Sequence, residues 1–303
     1  MAQITTQGAW FEHGGERLRL IGSHSWHGPQ SIGGARIQQQ QLVGNFTAAW
    51  LWEAPVWDTT GSKYAGGEGR PMAVEPMAWL RRDGRYDLSR PNPELYRRLR
   101  QFVVASNRAG RICNVILFEG TQPAYANSWH GHPFRSGNNH QGIAHSRPEQ
   151  VHQLGRHNRY QREHVDRVIA AVEGLQVVLE VGNELRPSSH AWQRAMVRHI
   201  KTQTRIPVGV SFTPGAGDGW MATTGADWWS PGWHEGPVTG ARVPQVMNTD
   251  HGIALRNDPA GVERYHRAGH SVLVMDALSE TVLKNFGSLQ PTRDVITGLV
   301  RRL

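Results

Sequence analysis

Short apolar runs that read as buried strands recur along this chain, and most are followed by a segment with helical periodicity. Arg17–Ser23 (RLRLIGS) and Asn45–Trp52 (NFTAAWLW) read as the first two strands. Asn92-Pro93 then opens a helix, with Asn as the cap and Pro at its first position. Leu95, Leu99, Phe102 and Val103 of that helix follow helical spacing, and Gly110 stops it. Ile112–Phe118 is the next strand. Asn158–Glu173 reads as a helix, Gln176–Val181 as a strand, and Ser189 as the cap of a helix carrying Trp192, Met196 and Ile200. Pro207–Phe212 and Pro244–Asn248 are strands, Asp258–Ala268 is a short helix, Ser271–Met275 is a strand, and a helix closes the chain near Thr292–Leu303.

Strand–helix alternation implies parallel pairing with right-handed crossovers. With seven strand candidates and no Gly-rich phosphate loop, it favours a (β/α)8 TIM-type barrel over an open doubly wound sheet. The whole chain, 1–303, reads as one such domain. An eighth strand is not legible, so the barrel is expected to be incomplete at its C-terminal end or completed by a weakly patterned segment. In a barrel the chemistry sits in the loops after the strands. Two of these are long, Glu119–His157 and Thr213–Val243, and both are rich in Trp, His, Asn and Gly.

The formal charge is +8, which raises the question of nucleic acid, yet 30 of the 33 basic residues are Arg spread along the chain beside acids. Dispersed charge reads as solvated helix faces, so no nucleic-acid partner is expected. One Cys (Cys113) permits no intrachain disulfide and no Cys-based zinc site. No apolar stretch reaches membrane-spanning length, so no membrane partner is expected. The N-terminus MAQITTQGAW lacks signal-peptide features. The chain therefore reads as cytoplasmic as written, and a secreted form with a trimmed leader would look the same. The oligomeric state is left open.

The segment Val177–Glu184 (VVLEVGNE) runs from a buried strand straight into Asn183-Glu184. A partly desolvated carboxyl at a strand end keeps a raised pKa and can donate a proton at neutral pH. The adjacent Asn183 can bind a substrate hydroxyl. A second carboxylate is expected at another strand end. Asp276 after Ser271–Met275 is the leading candidate, followed by Asp250 in Thr249-Asp250-His251 and by Glu280. Two facing carboxylates are what glycoside hydrolysis requires. Trp228, Trp229 and Trp233 in one loop, with Trp26, Trp52 and Trp129 after other strands, offer rings on which sugars stack. His24, His132, Asn139 and His251 offer hydroxyl partners. His251 can also set the charge of a catalytic carboxylate.

The combination resembles the clan A glycoside hydrolases, barrels that carry Asn-Glu at the end of the fourth strand, and most of all the cellulase-like glycosidases of that clan. The matching stretches are NFTAAWLWE (45–53), VILFEG (115–120), HPFRSGNNHQGI (132–143), VVLEVGNE (177–184), NTDHG (248–252) and VLVMDA (272–277). The resemblance implies a retaining O-glycosidase with no cofactor, Glu184 as acid/base and the strand-seven carboxylate as nucleophile. That carboxylate is Asp276 when strands are counted from the sequence, where the clan usually has Glu. Ala48 falls where clan members carry an Arg near the end of the second strand. These departures keep open a sugar-binding barrel without turnover. The His-rich loops, with His24 and His27 spaced HxxH and His130 and His132 spaced HxH, keep open a metal-dependent hydrolase.

Overall fold

The computed structural model describes residues 3–26, 28–36, 39–58, 71–124, 126–251, 258–276 and 290–301. Eight parallel strands form one sheet: β1 (Ile21–His24), β2 (Phe46–Trp50), β3 (Ile112–Ile116), β4 (Val177–Glu180), β5 (Val208–Ser211), β6 (Trp228–Ser230), β7 (Val246–Asn248) and β8 (Ser271–Met275). Their order is β6-β5-β4-β3-β2-β1-β8-β7. The ends meet through a parallel bridge between Trp229 and Gln245, where Trp229 N donates to Pro244 O at 3.0 Å. The architecture is therefore a closed (β/α)8 barrel, and the expected gap is filled.

The missing strand is β6, only three residues long, inside the stretch read from sequence as the loop Thr213–Val243. Its Trp-Trp-Ser pattern looked like a binding loop because two large rings flank Gly- and Pro-rich turns. The Trp228 ring instead fills the barrel bore, packed at 6.1 Å against Phe11 of the N-terminal hairpin Ile4–Gln7/Trp10–His13. Gly209 on β5 makes that possible, because a Cβ there would lie 2.2 Å from the Trp228 ring. Trp229 points the other way, into the outer core.

Strand alternation sorts the remaining residues. Phe46, Ala48, Trp50, Ile116, Val178, Val246 and Leu273 pack inside the barrel. Ala49, Val115, Leu117, Leu179 and Val210 face outward. They meet α1 (Pro93–Arg108), α2 (Asn158–Val172) and α3 (His190–Gln203), which bury Leu99, Val103, Val165, Val168, Met196 and Ile200. A smaller core under α4 (Pro259–Arg267) and α5 (Gln290–Val300) joins Ile21, Val272 and Val274 to Val262 and Ile296.

The helix starts follow local chemistry. Asn92 Oδ1 accepts from Glu94 N at 3.2 Å and Asp258 Oδ1 from Gly261 N at 2.7 Å, each cap worth about 1 kcal/mol. Ser189 precedes α3, but its hydroxyl donates to Arg186 O at 2.6 Å and makes no cap bond. Among the described residues no helix is long and apolar enough to cross a membrane.

Candidate active site

Three acids end three neighbouring or facing strands on the carboxyl side of the barrel: Glu119 after β3, Glu184 after β4 and Asp250 after β7. The β3 and β4 exits stay paired beyond their strands. Asn183 N donates to Phe118 O at 3.0 Å and Gly120 N to Asn183 O at 2.9 Å. This close approach needs Gly120, because a Cβ there would lie 2.4 Å from Glu184 O. Glu184 itself adopts φ +46°, a left-handed conformation that costs a non-glycine residue on the order of 1 kcal/mol and is concentrated at functional sites.

The amide of Asn183 joins the cluster. Its Nδ2 donates to Glu119 Oε2 at 3.2 Å and to Asp250 Oδ2 at 3.0 Å. Its Oδ1 lies 3.1 Å from His251 Nε2, and His251 Nδ1 lies 3.1 Å from Pro231 O. Asp250 Oδ1 accepts from Trp26 Nε1 at 3.1 Å. Glu119 also accepts from Trp50 Nε1 at 2.8 Å, from Thr121 N at 2.7 Å and from the Thr121 hydroxyl. Behind Glu119, Glu53 Oε2 accepts from Glu119 N at 3.0 Å and pairs with His152 Nε2 at 2.8 Å.

These surroundings favour protonated acids. Burial, then the negative charges of Asp250 and Glu119, hold Glu184 well above the usual carboxylate range. Burial and then Glu119 push Asp250 up to about 7, against the pull of Trp26 and Asn183. Burial raises Glu119 too, opposed by its donors Thr121, Trp50 and Asn183. In the bore, Glu180 on β4 takes a 2.5 Å bond from Asn114 Nδ2, and burial raises it to about 7. Burial lowers His251 to about 4 and His24 to about 3.

The aromatic wall lies beside Asp250. Trp26, which is partly exposed, packs 5.1 Å from Trp57 and 6.3 Å from Trp52. Trp52 stacks 6.0 Å from Trp50, and His24 stacks on Trp50 at 5.3 Å. His24 Nε2 reaches Asn248 Oδ1 at 3.2 Å, the same oxygen that accepts from Asp250 N at 3.0 Å. The structure thus brings Glu184, Asn183, His24, Trp26, Trp52, Asp250 and His251 to one end of the barrel.

Asp276 stands at the same end of the barrel, its N donating to His24 O at 2.7 Å, but its carboxylate is taken up by Arg293, and further expected site residues lie elsewhere. Asp276 ends the eighth strand, not the seventh. Its Oδ2 is held at 2.6 Å by Arg293 of α5, which also donates to Gln41 O at 2.6 Å, so this ion pair ties α5 to the barrel. His132 is fully buried, its Nδ1 accepting from Phe134 N at 3.1 Å and its ring packed between Trp129 and Phe134. Asn139 spends its amide on Pro133 O, Ile143 O and Ile143 N, each at 2.9 Å, which folds the loop on itself. Trp228 and Trp229 are strand residues buried in the bore and the outer core, and Trp233 packs on Tyr265 at 5.0 Å. Ala48 sits mid-strand on β2, opposite Asn114 of β3, and not at the strand end. Glu280 and His27 lie outside the described residues. Among the described residues no group of three or more His, Cys, Asp or Glu is arranged to hold a metal ion.

Glu119, Trp50 and Glu53 escaped the sequence reading. The signal for Glu119 was present: Leu117-Phe118-Glu119-Gly120 leaves a buried strand as Val181-Gly182-Asn183-Glu184 does.

No family model and no curated protein sequence matches this chain. Solved structures do. An endo-1,4-β-mannanase from Rhizomucor miehei aligns over 100% of both chains at 12% identity, with a TM-score of 0.57. The β-mannanase of the blue mussel Mytilus edulis aligns over 99% of this chain and 97% of its own at 12% identity, TM-score 0.60. A family 5 glycoside hydrolase mannosidase from Rhizomucor miehei, solved with mannosyl-fructose, aligns over 98% and 97% at 11% identity, TM-score 0.60. This chain shares the barrel fold of these glycoside hydrolases. At such identity the likeness is one of fold, and the chemistry must be argued from the site.

Proposed function

We propose that this protein hydrolyses O-glycosidic bonds, with Glu184 as general acid/base and Asp250 as nucleophile. The observation that carries this reading is that Asp250 after β7, held by Asn183 Nδ2 and by the N–H of a partly exposed Trp26, lies close enough to Glu184 after β4 for its charge to raise that acid. Counting the eight strands assigns the strand-seven position to Asp250. Asp276, already neutralised by Arg293, is set aside.

Glu184 keeps its proton at neutral pH because burial and two neighbouring carboxylates penalise its charge, so it can protonate the departing glycosidic oxygen. Ionised Asp250 would attack the anomeric carbon to form a glycosyl ester. Glu184, now a carboxylate, would take a proton from the water that hydrolyses that ester. Trp26 offers the sugar a ring face and holds Asp250 through its N–H. The mannanase and mannosidase neighbours make β-mannosides the first substrates to try.

One observation favours a second reading, a barrel that binds sugar without turnover. Trp26 Nε1 and Asn183 Nδ2, which donate to Asp250, are both neutral, so its charge is weakly stabilised near neutrality. A panel of aryl glycosides including β-mannosides, run with wild type, Glu184→Gln and Asp250→Asn, separates the two. The hydrolase reading expects turnover that each substitution lowers by about 10²–10⁴-fold. Oligosaccharide binding with no turnover of any substrate would establish the second.

A further inference from the structure

We propose that Glu119 is a positioning residue of this site: its carboxylate fixes the rotation of the Asn183 amide, so that Asn183 presents N–H to Asp250 and oxygen to His251. The inference rests on the hydrolase reading for its consequence, but its geometry stands apart from any substrate.

An asparagine amide is nearly symmetrical in shape, and a half-turn exchanges its oxygen and nitrogen. Something must choose between the two. Asp250 is a weak chooser, because a protonated Asp250 can donate to an amide oxygen as readily as an ionised one accepts from an amide nitrogen. His251 is also a weak chooser, since its Nε2 can donate or accept according to tautomer. Glu119 has no such freedom. Trp50 Nε1 at 2.8 Å and Thr121 N at 2.7 Å are donors that cannot accept, and the Thr121 hydroxyl completes the set. Oε2 already takes the Trp50 N–H, so a proton on this carboxyl sits on Oε1, where the Thr121 hydroxyl can accept it, and Oε2 stays an acceptor in either protonation state. An amide oxygen turned toward Oε2 would set acceptor against acceptor, so Asn183 must turn Nδ2 to Glu119 Oε2, at 3.2 Å. The same nitrogen then reaches Asp250 Oδ2 at 3.0 Å, and Oδ1 is left facing His251 Nε2 at 3.1 Å.

This arrangement dictates where the His251 proton sits. With an amide oxygen at Nε2, that nitrogen must carry hydrogen, either in the neutral Nε2–H tautomer or in imidazolium, although Pro231 O at 3.1 Å from Nδ1 would by itself favour Nδ1–H. The titratable groups near this assembly among the described residues include Glu119 and Glu184 from the β3 and β4 exits, Glu53 with His152 behind Glu119, Glu180 from the bore, Asp250 and His251 after β7, and His24 at the end of β1. Glu119 is the one of these in contact with both Trp50 and the Asn183 amide.

The test is ¹⁵N NMR of the histidine rings in wild type and Glu119→Gln, with His251 assigned by its loss in His251→Asn. Wild type should show a protonated Nε2. In Glu119→Gln the Asn183 amide is free to turn, and the population should move toward Nδ1–H. On the aryl glycoside that wild type turns over, kcat should fall about tenfold or more, with a smaller change in KM. A wild-type His251 protonated on Nδ1 alone overturns the proposal, even if the variant fails to fold. A Glu119→Gln spectrum identical to wild type overturns it too. Absence of wild-type turnover on every substrate would count against the hydrolase reading alone, because the NMR readout needs no substrate.

Discussion

Gly120→Ala puts the geometry of the β3 and β4 exits to the test. The added methyl would lie 2.4 Å from Glu184 O, 2.7 Å from Glu184 C and 2.8 Å from Leu185 Cα, where ordinary contact begins near 3.4 Å. All three are backbone atoms, so no rotamer change relieves the clash. The segment carrying Glu184 must retreat by about 1 Å, a displacement that can cost on the order of 10²-fold when the group must meet a leaving oxygen. The overpacking should also cost about 1–3 kcal/mol of stability, or a few degrees in Tm for a chain of this size. The assay is kcat/KM on the aryl glycoside that wild type cleaves best, beside a thermal melt. Gly298→Ala on α5 is the control, since its methyl meets nothing within 4 Å and adds helix propensity. A folded Gly120→Ala with kcat/KM within about threefold of wild type would show that Glu184 is not held where the argument requires.

Further outcomes follow from the same contacts. On the proposed assignment Asp250, pushed up to about 7 by burial and by Glu119, must be ionised to attack, so its active form grows between pH 6 and pH 8. Activity should rise about tenfold across that interval and fall only where Glu184 loses its proton; a profile already flat from pH 5 would contradict this assignment. Trp26→Phe keeps a ring but removes the N–H donor to Asp250, so the acid limb should move to higher pH, as a pH series of kcat/KM will show. Asp276→Asn breaks the pair with Arg293 and should lower Tm by several degrees, with kcat within about threefold of wild type. A loss of about 10³-fold in that variant would restore Asp276 to the mechanism.

The parts of this protein that could be read in advance are those in which sequence period and burial agree. Leu95, Leu99, Phe102 and Val103 announced α1, and the unbroken apolar runs at Ile112–Ile116 and Ser271–Met275 announced β3 and β8. The strand β6 was hidden because three residues carry no period, and its two Trp serve opposite faces of one strand. That omission moved the strand count by one and shifted attention from Asp250 to Asp276. Asn139 and His132 looked like sugar ligands because a polar residue in a long loop has the same appearance in sequence whether it faces solvent or satisfies buried backbone. Here the loop turns them inward, where Asn139 replaces the hydrogen bonds that Pro133 and Ile143 would otherwise lack. Glu119 was overlooked for a different reason: its importance lies in donors from Trp50 on β2 and Asn183 after β4, which come together with it only when those strands pair on either side of β3.

The most direct check of the proposed pairing across the barrel mouth is to trap the reaction part-way. A fluorinated glycosyl donor with a good leaving group should glycosylate the nucleophile and turn over slowly. Digestion and mass mapping of the labelled protein should then place the sugar on Asp250, with labelling abolished in Asp250→Asn and the labelled form longer-lived in Glu184→Gln, which lacks the base for its hydrolysis. A label on Asp276 or Glu119, or turnover that persists in Asp250→Asn at the wild-type rate, would contradict the assignment.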